Sequence, residues 1–496
     1  MAVSARATDK LDAICIGATP ECLFAAASLA AAAKHVRVLD LRAAGKVDVE
    51  AGPCLVDVEA AGWLNLVSHG LRYGAAAPLI AVAQDRSLVL WPEADATIAG
   101  LSSLSERDAA AYPGFVAGMM RLAAAGGTTS GVLSSLFGLG LVRDPMMASA
   151  LHGRSTSLSR FLEEAFESPL LRGALAQLAL EGTAVSPTVP GSARLLARQS
   201  LMSLIGLPVG KRQVAGGTAA LGAALNSALK SLGSLEVLPD VRVRQQIVER
   251  EAVQGVVLAD GSVLRAPQVI LGRLGDAALE LLHPLPFDVP QAMRPAPAGR
   301  IHFTVGMPPA IRGVGAAQVT SGASLLLNPS LERLVRSHGA FSARQLMQDF
   351  CMSLRVMPTG GGEERMTWLV VADVLHVPRE SDEGPWSGPR RERLVSGVTR
   401  AIEAWAPGFE LSLKGAELLS PAEPRPFLEL QRPSSGLGSS EGDVQALPDV
   451  AHDGVWKPCK GLWLVGSSLS AGTGRAGLSI SQALGASVRP RVNADG

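Results

Sequence analysis

The chain has 496 residues, with 45 basic and 45 acidic side chains giving a formal net charge of +0. At 47% hydrophobic and 18% charged residues it holds more than enough apolar surface to offset the entropy of ordering, which excludes a disordered chain. The charge balance and the 4% aromatic content also exclude a nucleic-acid partner, which would need a basic surface or a stacking platform.

Five cysteines, Cys15, Cys22, Cys54, Cys351 and Cys459, are scattered with no CxxC pair. That spacing predicts neither a disulfide framework nor a zinc site and fits a reducing compartment. The eight histidines are equally dispersed, without HxxxH or HExxH spacing, so no metal is expected. Asp9, Lys10 and Asp12 precede the first apolar run, against the pattern of a secretory signal. The longest apolar runs, 22–33 and 131–142, fall short of the ~20 residues that span a bilayer. A cytoplasmic protein is expected, with at most a peripheral membrane contact; the run 131–142 reads more readily as core or loop than as a membrane lip.

In chain order, residues 12–42 read as strand, turn, helix, strand. The run Ala13, Ile14, Cys15, Ile16 precedes a turn at 17–21, helix-forming residues at 22–33 and a second strand at 36–40. This is the opening βαβ of a doubly wound nucleotide-binding fold, and Asp40 follows Gly17 by about the twenty residues such a fold requires. Residues 105–108 have capping-box spacing before a helix-like run at 112–125. A Gly-rich stretch at 126–140 reads as loop, and 159–178 as one amphipathic helix broken off before 187–191.

Gly216 and Gly217 open a helix reaching about residue 232. Strands are expected at 241–248, 255–258 and 263–271, with a hairpin turn at Asp260 and Gly261. Residues 301–305 and 367–374 suit a second, larger sheet, 390–404 a helix, and 424–449 a long loop. A strand at 461–466, a Gly-rich turn at 467–474 and a helix from about 475 to 486 close the chain. The unpaired N–H groups at such a helix start suit an anionic ligand.

Taken in order, the blocks at 13–42, 88–91, 104–115, 161–168, 216–221, 255–261, 406–409, 419–421 and 461–477 resemble the phytoene-desaturase-like family of FAD-dependent oxidoreductases. The resemblance implies an α/β fold in which a discontinuous, doubly wound, Rossmann-like FAD-binding domain carries an inserted α+β substrate domain. The FAD-binding domain is expected from 1–80, 206–285 and 426–496, and the substrate domain from 81–205 and 286–425. It implies FAD as cofactor and an apolar small-molecule substrate, polyene or lipid-like, with a protein partner or homo-oligomer left open. The cofactor-binding set it implies is Gly17, Ala18, Asp40, Arg42, Gly216, Gly217, Val243, Gly466, Gly472, Gly474 and Gly477. No side chain emerges as catalytic.

The first turn departs from the GxGxxG pattern. Gly17 is kept, but Thr19 and Cys22 stand where the second and third glycines allow close approach to the pyrophosphate and tight helix packing. Glu21 adds a carboxylate at a helix start meant for an anion; at ~4 Å two like charges cost from about 1 kcal/mol in water to several at lower effective dielectric. Three readings therefore stand side by side: an FAD-dependent dehydrogenase or desaturase, a non-catalytic homologue with weakened or lost FAD binding acting as a binding or assembly partner, and a redox-neutral lipid isomerase or hydratase.

Overall fold

The computed structural model describes residues 10–17, 20–40, 55–74, 77–84, 86–124, 156–181, 183, 185–197, 211–233, 235–272, 298–320, 322–359, 367–378, 388–419, 455–465, 479–480 and 483–484. The expected features at 126–140, 424–449 and most of 475–486 lie outside them. The first βαβ unit is β1 (Ala13–Ile16), α1 (Pro20–Ala31) and β2 (Val36–Leu39). Next come β3 (Leu55–Asp57), α2 (Val58–Trp63), β4 (Leu79–Val82) and β5 (Ser87–Leu90). A helical stretch follows, α3 (Ala94–Ser102), α4 (Glu106–Ala124), α5 (Leu158–Ala165) and α6 (Pro169–Leu180).

After β6 (Lys211–Gln213), α7 (Gly217–Lys230) leads into β7 (Leu235–Leu238), then β8 (Val243–Glu249), β9 (Ala252–Leu258), β10 (Val263–Arg265) and β11 (Val269–Gly272). The next stretch holds β12 (Ala298–Val305), α8 (Ala316–Val319), β13 (Ser324–Leu327), α9 (Leu331–Ser342), β14 (Met352–Thr359) and β15 (Thr367–Leu375). The last elements are α10 (Gly388–Glu403), α11 (Phe409–Ser412), β16 (Leu413–Leu419), β17 (Val455–Cys459) and β18 (Leu462–Val465).

Two large sheets organise these elements. The first has the order β17-β18-β11-β1-β2-β7 and is parallel except for β17. Its central strands are buried on both faces, as the unbroken apolar run of β1 requires. On one face α1 and α7 bury Phe24, Leu29, Leu221 and Leu225 with Cys15 and Val38. On the other, the antiparallel ribbon β10-β9-β8 buries Val253 and Val256 against Ile14, Ile16 and Leu271. The result is a doubly wound, Rossmann-like domain drawn from separated stretches of chain.

The second sheet has the order β16-β12-β15-β14-β13-β4-β5 and is antiparallel apart from the β4–β13 pair. One face packs Ile301, Phe303, Val370 and Ala372 under Leu394 and Val398 of α10. The opposite face, over β4, β5 and β13, packs Leu79, Leu88 and Leu326 under α3 to α6. This is the inserted α+β part of the fold.

Two local expectations are corrected. The single helix at 159–178 is two, α5 and α6, because Asp108 and Ser168 both terminate it. The Asp108 carboxylate accepts from the backbone N–H of Glu167 at 2.6 Å and of Ser168 at 2.7 Å, while Ser168 Oγ caps the next helix through Leu171 N at 3.3 Å, with Pro169 in its first turn. The strand at 263–271 is likewise two: β10 pairs antiparallel with β9, whereas β11 joins the parallel sheet. Pro267, which has no N–H to give a ladder, stands at the switch between sheets. Among the described residues no helix is long and apolar enough to cross a membrane.

Candidate dinucleotide site at the edge of the parallel sheet

The site begins where β1 ends. Gly17 has φ +91°, a left-handed conformation that a Cβ would strain, and it donates its N–H to the Leu39 carbonyl at 2.9 Å. That bond ties the turn after β1 to the last residue of β2, so that Asp40 lies beside Gly17 at the C-terminal edge of the sheet. Asp40 is itself fixed at both backbone groups: its N–H donates to Leu238 O at 2.8 Å, and its carbonyl accepts from Val241 N at 3.0 Å. The second of these brings the start of β8 to the same corner, with Val243 two residues further on. The Val243 side chain is buried with Ile14, Ile16 and Leu39, leaving the strand backbone as the group a ligand would meet.

Gly216 and Gly217 reach this edge by a different route. Gly216, at φ +80°, caps α7, and Gly217 follows at φ +63°. Helix α7 feeds the parallel strand β7, so it runs antiparallel to the strands and its N-terminus lies at the same edge as Gly17. The entry is anchored by the antiparallel bridge between Tyr73 and Val214, with Arg212 stacked 4.4 Å over the Tyr73 ring. Burial raises the Tyr73 hydroxyl above its usual range, with Asp57 adding to the rise and Arg212 opposing it.

The C-terminal strand arrives at the same edge. β18 is parallel to β11, which is parallel to β1, so β18 ends two strand spacings, about 10 Å, from Gly17. Of the remaining expected residues, Ala18, Thr19, Arg42, Gly466, Gly472, Gly474 and Gly477 lie outside the described residues. The structure thus brings Gly17, Asp40, Val243, Gly216 and Gly217 to one edge.

The residues present fit an adenosine-bearing dinucleotide at the Gly17–Asp40 corner: a left-handed glycine leaves room for close approach, and a strand-end carboxylate suits ribose hydroxyls. They fit a diphosphate less well at the first turn of α1. Pro20, its first residue, has no N–H to donate, and Glu21 beside it is 6% exposed. Cys22, where a glycine would let helix and strand close up, is fully buried and turns its thiol to the Ile16 carbonyl at 3.6 Å. Cys15 is also buried in this core, which pushes its thiol up to about 12; both cysteines are packing groups here.

A second polar constellation had no counterpart in the sequence reading. On the face of the second sheet away from α10, Arg300 of β12 donates to both oxygens of Asp373 in β15, Nε to Oδ1 at 2.7 Å and Nη2 to Oδ2 at 3.1 Å. Arg355 of β14 adds a third bond, Nη2 to Oδ2 at 2.7 Å. The signal available beforehand was an Asp set within the apolar run of β15 and an Arg within that of β12. His302 lies half-buried on the same face, opposite Val371 and Glu417 in register, as a strand residue within the sheet.

No family model matches the chain. In sequence it is 24% identical over 437 residues, 79% of its length, to mouse pyridine nucleotide-disulfide oxidoreductase domain-containing protein 2, covering 74% of that protein. The rat protein of the same name matches at 24% over 434 residues with the same coverages. Among solved structures, an oxidoreductase from Methanosarcina mazei superposes with a TM-score of 0.54 at 13% identity over 95% of this chain and 100% of that one. Putrescine oxidase gives 0.55 at 14% identity over 96% and 99%, and cyclohexylamine oxidase from Brevibacterium oxydans 0.51 at 14% over 96% and 100%. In sequence the chain is thus similar to pyridine nucleotide-disulfide oxidoreductase domain-containing protein 2, and its fold is similar to that of putrescine oxidase and cyclohexylamine oxidase.

Proposed function

We propose that the chain is an FAD-dependent oxidoreductase of the dehydrogenase or desaturase type, acting on an apolar, lipid-like small molecule. The observation that carries this reading is the hydrogen-bonded corner of Gly17, Leu39 and Asp40 at the C-terminal edge of the parallel sheet. In an open doubly wound sheet, ligands bind outside the carboxyl ends of the strands where the connections part to opposite faces. β1 is such a strand, with α1 leaving on one face and the β8–β10 ribbon covering the other.

In this reading Asp40 accepts from the ribose, Gly17 and Ala18 give the diphosphate room, and the Val243 backbone borders the adenine. Gly216 and Gly217, with Arg42 and the turn glycines Gly466, Gly472, Gly474 and Gly477, complete the cradle. The flavin, when bound, supplies the hydride acceptor. The chain's own part is to orient the substrate and keep water away from an apolar slot. An absorbance scan of the purified, untagged protein tests it: a flavin spectrum near stoichiometry is expected, and bleaching on addition of an oxidisable lipid substrate, as hydride passes from substrate to flavin, marks redox turnover. Protein that carries no flavin and takes up none from excess FAD overturns it.

One observation favours a second reading, a homologue that keeps the fold as a binding or assembly partner with weakened FAD affinity. Glu21 is buried at the helix start that would face the diphosphate, next to a proline that cannot donate. Failure of FAD uptake in a well-folded protein selects this reading over the first.

A further inference from the structure

The second sheet changes character across one face. Over β4, β5 and β13 that face is apolar and covered by helices; over β14, β15 and β12 it carries Arg355, Asp373 and Arg300. We propose that Arg355 is the head-group anchor of a binding site for the carboxylate of an otherwise apolar small molecule. This rests on the reading of the chain as an enzyme of apolar substrates and names the polar end of that substrate.

The argument starts from donors. Asp373 already has both oxygens engaged by Arg300, and Arg355 reaches it through Nη2 alone, the one bond described for that guanidinium. The Arg355 side chain is 11% exposed, and its Nε and Nη1 are not among the buried atoms left without a partner, so they face the small opening that remains beside it. Donors open on one side of an otherwise enclosed guanidinium can take an incoming acceptor without giving up the bond to Asp373. Its planar fork matches a carboxylate with two parallel bonds, and Asp373 fixes that fork in place before any ligand comes.

The surroundings select the rest of the molecule. Val371 stands opposite Arg355 in register, and Met357 follows it on the same face of β14. They are 4% and 7% exposed, and neither offers a hydrogen bond. A charged fork at one end of a buried apolar wall suits a ligand with one anionic end and a hydrocarbon body.

Equilibrium binding of decanoate and of decanol to the purified full-length chain, by calorimetry and with flavin content recorded by absorbance, tests the proposal. Decanoate is expected to bind more tightly than decanol. Arg355→Gln should weaken decanoate by roughly tenfold or more, the size of one lost charge-assisted pair, and leave decanol unchanged. Arg355→Lys, which keeps the charge beside Asp373 but not the fork, should fall between the two and decides the matter where the Gln variant does not fold. Equal affinity for the two probes, no binding of either, or variants that bind decanoate like the parent overturn it. Flavin-free protein that still prefers decanoate upholds this site while sinking the redox reading; flavin-loaded protein indifferent to the carboxylate does the reverse.

Discussion

The N–H of Gly17 meets the carbonyl of Leu39 at 2.9 Å, which locks the turn after β1 to the end of β2 and sets Asp40 at the mouth of the crevice. With φ at +91°, Gly17 holds a conformation that costs an L-residue on the order of 1–2 kcal/mol. Gly17→Ala should therefore lower the denaturant midpoint and reduce the flavin-to-protein ratio together. Asp40→Asn keeps the volume but not the charge; it is expected to cut FAD affinity by roughly tenfold, as for loss of a hydrogen bond to a charged acceptor, with little change in midpoint. Fluorescence quenching on FAD titration reads both.

Glu21 acts in the opposite direction. A carboxylate in the first turn of α1 stabilises that helix through its dipole, yet repels a diphosphate brought to the same end. Glu21→Gln should cost the helix a few tenths of a kcal/mol to about 1 kcal/mol and raise FAD affinity. Titration of parent and variant with FAD at low and moderate salt checks this, and the gain should shrink as salt screens the repulsion. An unchanged affinity would mean that the diphosphate does not approach Glu21.

The N-terminal unit was legible because its signals are local: a β-branched run, a glycine, and an acidic residue at the right spacing. The Gly216–Gly217 helix start was legible for the same reason. The broken helix at 166–168 was not, because half of its stop signal, Asp108, sits about sixty residues upstream and reaches Glu167 and Ser168 only in three dimensions. Arg300, Arg355 and Asp373 escaped for a related reason. Each reads alone as a polar interruption of a strand, and only the register of β12, β14 and β15 sets Arg300 opposite Asp373 and Arg355 diagonally across from it on the same face. Sequence order predicts strands well, but it does not predict which of their polar residues become neighbours.

Gly173, inside α6, tests the packing of the helical layer on the second sheet. A Cβ built there would lie 2.2 Å from the Pro329 carbonyl oxygen and 2.7 Å from Ser330 N, both backbone atoms with little freedom to yield. Helix α6 would have to lift from the segment between β13 and α9. Gly173→Ala raises intrinsic helix propensity by about 1 kcal/mol, but overpacking typically costs 1–3 kcal/mol and a clash this short belongs at the upper end. The variant should melt several degrees lower than the parent, whereas Gly222→Ala in α7, where a Cβ meets nothing within 4 Å, should melt at the same temperature or higher.

His376 gives the fold a pH dependence that can be isolated. It is 3% exposed, holds φ +55°, and its Nδ1 lies 3.1 Å from Ser337 Oγ, which also bonds the Cys351 thiol. Burial, with the neighbouring His338 adding to it, pushes the imidazole down from 6.5 to about 3, so it is neutral in the folded chain. The unfolded chain takes up a proton at this residue below pH 6.5 while the folded one does not. The stability it contributes is therefore complete above pH 6.5 and is lost as pH falls toward 3, at about 1.4 kcal/mol per pH unit. His376→Asn tolerates the left-handed backbone and does not titrate. Denaturant unfolding of both proteins through this window should show the variant less stable near neutrality but falling less steeply in acid. Parallel curves would mean that His376 titrates alike in the folded and unfolded chains.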